Sequence, residues 1–207
     1  MPLAVKGHRV VVERAPFLAA LALVLPGLVT PAGAGAPFRV DRGDVRVTVP
    51  LRPGGAFEAK TASLSGTVTP GASRPLALDG EISVDLATID TGIALRNQHL
   101  REKYLEVARG AGFDKAVLSE IRLGAADGEA FQGRTAFTGA LLLHGSKRAV
   151  SGTAEIRREG AAARVDASFP LTLTDFGIEP PEYLGVGVAN RIMVKVLFTA
   201  TSTESRR

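Results

Sequence analysis

The chain has 207 residues, of which 45% are hydrophobic and 22% charged, a balance that fits one globular domain and excludes an intrinsically disordered chain. Its 25 Lys and Arg against 21 Asp and Glu give a net charge of only +4, and nine Phe, two Tyr and no Trp offer little stacking surface, so nothing here argues for a nucleic-acid partner. The absence of cysteine excludes disulfides, thiolate nucleophiles, Cys-ligated metal and an acylated lipoprotein terminus.

The first element is a basic flank, Lys6, Arg9 and Arg14, ahead of the apolar run from Phe17 to Leu25. Pro26 and Gly27 then break the run, and Ala34-Gly35-Ala36 supplies a small-residue exit. Those are the three parts of a secretory signal, and the prolines end the run short of the ~20 apolar residues a spanning helix needs. The expected layout is a signal peptide over 1–36, a body over 37–203 and a polar tail over 204–207, working in the periplasm or secreted. Removing the signal takes three basic residues and one acidic one (Glu13) from the totals of 25 and 21, leaving 22 against 20.

The body reads as strands by period-two alternation. Short candidates cover 45–49 and 57–68. In 76–86 the even positions Leu76, Leu78, Ile82, Val84 and Leu86 are apolar, while Asp79, Glu81 and Asp85 alternate with them. The only segment at helical spacing follows, with Leu100, Tyr104 and Val107 recurring among charged residues, which predicts one surface helix over about 93–107 with Asp90 or Thr91 capping its start. Strands are then expected at 116–123, 131–143, 150–156, 165–173 and 192–200, separated by Asp127-Gly128, Glu159-Gly160 and similar turn signals. About eight strands with one apolar face each suit either a filled sandwich or a closed barrel. Inward small residues, Gly80, Gly133, Gly139, Ala167 and Ala200, would leave volume for a ligand in a barrel or mark bulges in a sandwich, and alternation leaves both open.

Three motifs go beyond generic β structure. Ile89-Asp90-Thr91-Gly92 ends a strand and leads into Arg96-Asn97-Gln98-His99-Leu100. Gly139-Ala140-Leu141-Leu142-Leu143-His144-Gly145 runs on to Val150, and Thr174-Asp175-Phe176-Gly177-Ile178 precedes the last strand. In that order and spacing, over roughly 38–200, the chain resembles the YceI-like, polyisoprenoid-binding family. It departs from the family pattern at 51–57 and at 108–113, both positions that would line the family's tunnel.

The resemblance implies an all-β, eight-stranded antiparallel barrel of lipocalin-like shape, with an apolar tunnel for a long lipid such as an isoprenoid quinone or polyprenyl phosphate, and no other cofactor. Candidate tunnel residues are Ile82, Val84, Phe137, Leu141, Phe169, Leu171, Val194 and Phe198. At the mouth, Arg96, His99, Arg101 and His144 are the candidates to meet a polar headgroup, Arg because it pairs bidentately with phosphate. The competing readings are a solvated helix face for the first three and a hydrogen-bonded turn for His144. The expected partner is the lipid, with a homodimer and transient membrane contact also admitted.

Two other functions compete. One is a non-catalytic interaction module in the cell envelope with a filled core. The other is an aspartic-type peptidase using Asp90, since Asp-Thr-Gly after an apolar strand is that chemistry's motif. The same three residues also suit a strand-to-helix turn, and no Ser/His/Asp set or metal-spaced cluster accompanies them. The expectation is a binding protein and not an enzyme.

Overall fold

The computed structural model describes residues 35–72, 76–124, 131–183 and 185–203. The export segment through residue 34, the Asp127-Gly128 turn and the tail 204–207 lie outside the described residues. The strands are β1 (Phe38–Arg52), β2 (Ala56–Thr61), β3 (Leu64–Pro70), β4 (Leu76–Asp85), β5 (Lys115–Leu123), β6 (Gly133–Leu143), β7 (Ser146–Glu159), β8 (Ala162–Thr172), β9 (Glu182–Tyr183), β10 (Val186–Val188) and β11 (Arg191–Ser202). The helix α1 covers Ala94–His99.

All pairings between neighbouring strands are antiparallel, and β11 returns to pair with β1 (Val45↔Val196), which closes an eight-stranded barrel. β2 and β3 count as one wall strand, because both hold the same register against β1 (Val45↔Thr61, Val40↔Gly66). β9 and β10 form a short flap joined to the far end of β1 at Leu51↔Val188. Closure leaves no long unpaired edge, the usual liability of an all-β chain.

Alternation in sequence becomes alternation in burial. In β6, Thr135, Phe137, Gly139, Leu141 and Leu143 are buried while Arg134, Ala136 and Thr138 are exposed. Bulges keep the pattern in phase. At Asp41 and Arg42 two successive residues face water, after which Gly43, Val45 and Val49 return to the interior. The β6–β7 hairpin turns on His144 and Gly145 alone, with φ of 49° and 70°, the left-handed pair that a two-residue hairpin requires.

The helix differs from expectation. α-Helical geometry stops at His99, a π-turn covers Leu100–Tyr104, and Glu106 at φ 50° ends the element. Leu105 N–H donates to the Leu100 carbonyl at 2.8 Å, and this wider turn brings Leu100, Tyr104 and Leu105 together onto the barrel. Nor does Asp90 or Thr91 cap α1, whose N-cap is Ile93 with no side-chain bond. Asn97 reaches back instead: Thr91 N–H and Oγ1–H donate to Asn97 Oδ1 (2.8 and 2.7 Å), and Asn97 Nδ2 donates to Asp90 Oδ1 (2.6 Å). Asp90 Oδ1 also accepts Gly92 N–H at 2.9 Å, so the carboxylate organises a local turn.

Candidate functional site

The barrel encloses a cavity of about 330 Å³, in the range of small-molecule sites. Every long wall strand contributes to its lining, and the lining is almost wholly apolar. Among the described residues, the polar side chains on it are Tyr104 and Arg158.

All eight candidate tunnel residues line this cavity: Ile82 and Val84 from β4, Phe137 and Leu141 from β6, Phe169 and Leu171 from β8, and Val194 and Phe198 from β11. One end is lined by Leu100, Tyr104 and Leu105 below α1, with Ile89, Pro181 and the flap residue Val188 also on the lining. At the other end lie Phe38, Val68, Phe131, Arg158, Ala163 and Ala200. The two ends are well separated. β7 advances twelve residues from the His144 turn to Arg158, which at ~3.3 Å per residue and a tilt of about 40° is about 30 Å of wall.

The inward glycines do not make this space. A Cβ on Gly139 would come 2.9 Å from Leu118 Cδ1, and one on Gly152 would come 2.2 Å from the Ser168 carbonyl oxygen and 2.8 Å from Phe137 Cε1. These positions are filled by neighbouring chain, and glycine allows the close approach. Gly80 faces outward at a bulge with φ 111°, its absent Cβ 2.2 Å from the Thr67 carbonyl oxygen. Ala167 and Ala200 do line the cavity, and Ala167 faces Ala154 across the β7–β8 ladder, so methyl groups stand where larger side chains would fill the interior.

None of the four mouth candidates lines the cavity. Arg96 stacks its guanidinium 4.2 Å from the ring centroid of Phe57, which itself lines the cavity. His99 is exposed on α1. Arg101 donates through Nη2 to the Ile89 carbonyl at 3.2 Å. His144 ties the β6–β7 turn to two other segments, with Nδ1 at 3.0 Å from the Phe176 carbonyl oxygen and Nε2 at 3.0 Å from Glu106 Oε2. Phe113 packs edge-on against the same imidazole at 4.9 Å. Of the two divergent segments, 51–57 reaches the cavity through Phe57, whereas Phe113 packs beside His144 and does not line it.

Electrostatics around Asp90 suit a turn. Its hydrogen bonds from Asn97 first and Gly92 second hold the carboxyl below the ordinary Asp value, with burial opposing them and the Arg101 and Lys60 charges adding to them. A carboxylate kept ionised as a hydrogen-bond acceptor is the reverse of one poised to share a proton. Among the described residues, no group of three or more His, Asp or Glu side chains is arranged to hold a metal ion.

Sequence reasoning missed Arg158. Its neighbours Arg157 and Glu159 hide it in a charged run, and only the register of β7, which buries Ala154 and Ile156, reveals that Arg158 is on the inner face.

The model of the YceI-like domain matches residues 35–200. A search of curated proteins returns no match. Among solved structures, BcnA of Burkholderia cenocepacia is 19% identical, with a TM-score of 0.58 over 76% of this chain and 96% of that one. A polyisoprenoid binding domain from Saccharophagus degradans, implicated in plant cell wall breakdown, is 15% identical with a TM-score of 0.59, covering 82% and 99% of the two chains. The YCEI protein of Campylobacter jejuni is 15% identical with a TM-score of 0.50, covering 68% and 82%.

Proposed function

The chain belongs to the YceI-like domain family, and on that premise we propose that it binds an apolar lipid of isoprenoid kind inside its barrel and carries or sequesters it. The observation that carries the proposal is the continuous cavity, lined by apolar side chains from α1 to the opposite barrel end. Similarity in fold to a polyisoprenoid binding domain supports the same class of ligand.

Transfer of a hydrocarbon chain from water to such a lining is worth about 0.8 kcal/mol per buried CH2. Ordering the flexible chain opposes this by about 0.5–1.5 kcal/mol per immobilised group. Specificity then lies in shape and in whatever polar group the lining offers. Export, supported by the basic flank and short apolar run at the N-terminus, would put this binding in the periplasm or outside the cell. An apolar cargo is best loaded at a bilayer, and Ile93 and Leu95, 49% and 61% exposed at the start of α1, support a transient membrane contact there.

The test is organic extraction and native mass spectrometry of the purified chain, alone and after incubation with isoprenoid quinones and polyprenyl phosphates. A stoichiometric lipid adduct is expected. A chain that stays empty under all these conditions sinks the proposal and favours an interaction module. Asp90→Asn is expected to leave lipid binding nearly intact, and peptidase activity that disappears with this change would instead support the protease reading.

A further inference from the structure

We propose that the outer face of the seam between β1 and β11 docks the barrel on anionic bilayers, its basic side chains meeting lipid phosphates. This rests on reading the chain as a lipid carrier, and it adds a docking face and a lipid charge to the transient membrane contact.

Alternation sends the apolar residues of both strands to the cavity and leaves their charged ones outside. On this face Arg39, Arg42, Arg46 and Arg52 of β1 and Arg191 and Lys195 of β11 are exposed, against Asp41 and Asp44. The seam thus holds six basic and two acidic residues, whereas the whole of 37–207 holds 22 and 20. The adjoining strands do not cancel this excess, since β2 brings Lys60 with Glu58 and β8 brings Arg164 with Asp166. The balance is restored further round the barrel, where the outer sides of β4 and β5 carry Asp79, Glu81, Asp85 and Glu120 against Lys115 and Arg122. A barrel charged unevenly in this way turns its basic side towards an anionic surface.

Register sharpens the pattern. Lys60, Arg46 and Lys195 stand directly opposite one another on β2, β1 and β11, a row of three cations within about 10 Å at the usual strand spacing. Like charges in directly opposed positions destabilise a sheet, so folding alone does not favour this row. Glu58 lies 3.2 Å from Lys60 and Asp166 3.4 Å from Lys195, but Arg46 between them has no ion pair among the described residues. Exposed apolar side chains on the same face distinguish a bilayer from a soluble acidic partner. Met193 is 45% exposed in the next row, opposite Thr48, and Val186 is 50% exposed on the flap that pairs with β1 at Arg52. α1 starts shortly after Asp90, which bridges to Lys60, and it brings the exposed Ile93 and Leu95 to this side. A bilayer offers such a mixed face both phosphate and hydrocarbon, and each basic residue near an anionic surface adds about fivefold in binding.

The test is cosedimentation of the purified chain with phosphatidylcholine vesicles, with and without about 30% phosphatidylglycerol. The wild type is expected to bind the anionic vesicles about tenfold or more tightly than the neutral ones, and to lose most of that difference at about 0.5 M salt. Arg46→Gln/Lys195→Gln should weaken anionic-vesicle binding about tenfold or more, and so should the independent pair Arg42→Gln/Arg191→Gln. Lys115→Gln/Arg122→Gln removes the same charge from β5 and should change binding by less than about twofold. The basic N-terminal segment is common to every chain, so these differences report the barrel face alone. No binding to anionic vesicles, equal binding to both vesicle types, or equal losses in the seam and β5 variants overturns the inference. Seam-dependent binding to polyglutamate without binding to anionic vesicles also overturns it, in favour of a soluble acidic partner. Vesicles free of isoprenoid lipid keep this result apart from the cavity: a chain that docks but takes up no isoprenoid sinks the carrier reading and leaves the docking face standing.

Discussion

The ring of Phe137 covers the backbone of Gly152, its cross-strand partner, and meets Phe169 edge-on with centroids 5.9 Å apart. Aromatic cover of a strand glycine lets β6, β7 and β8 curve tightly while the inner surface stays sealed. In Gly152→Ala the new methyl would clash with the Ser168 carbonyl, a backbone atom that cannot swing away. Chemical denaturation is expected to show a loss of about 1–3 kcal/mol, the usual cost of overpacking. An unchanged midpoint would mean that the strands are not held this closely.

The Asp90 turn predicts a structural phenotype. Asn97→Ala removes the acceptor of Thr91 N–H and Oγ1–H and the donor to Asp90. A loss of about 1 kcal/mol in stability is expected, accompanied by faster amide exchange at Thr91 and Gly92. Protection at these two amides that survives the substitution would contradict the role given to Asn97.

Acid sensitivity should map to Glu106. The hydrogen bond from Arg109 chiefly holds its carboxyl below the ordinary value of 4.5, with the Arg109 charge and His144 adding to the effect and burial opposing it. A depressed folded value contributes stability that is present above 4.5 and lost as pH falls through the folded value. The expected result is a thermal midpoint that declines less steeply below about pH 5 in Glu106→Gln than in the wild type. Parallel profiles would show that the His144–Glu106–Arg109 link contributes nothing in solution.

Much of the barrel was legible because its signal is local. Apolar alternation in 76–86, 131–143 and 192–200 corresponds to β4, β6 and β11, and closure followed from the family motifs. The positions the sequence misread depend on contacts between distant segments. Gly139 looks like empty volume in a strand, yet Leu118 fills that place. The helical spacing of Leu100, Tyr104 and Val107 predicts one regular α segment, while the π-turn that brings Leu105 onto the barrel follows from docking. Arg158 is hidden for the same reason: local charge density says surface, and only register says interior.

If the barrel interior is usable space, filling it at Ala154 should displace a ligand without unfolding the chain. Ala154 and its partner Ala167 both line the cavity, so a phenyl group introduced at Ala154 would occupy space that a lipid tail otherwise takes. The measurement is the thermal midpoint of Ala154→Phe together with its affinity for geranylgeraniol. The expected midpoint is equal to or above that of the wild type, as cavity filling commonly adds about 0.5–2 kcal/mol, with lipid affinity reduced about tenfold or more. A variant destabilised by overpacking that binds the lipid as well as the wild type does would contradict it.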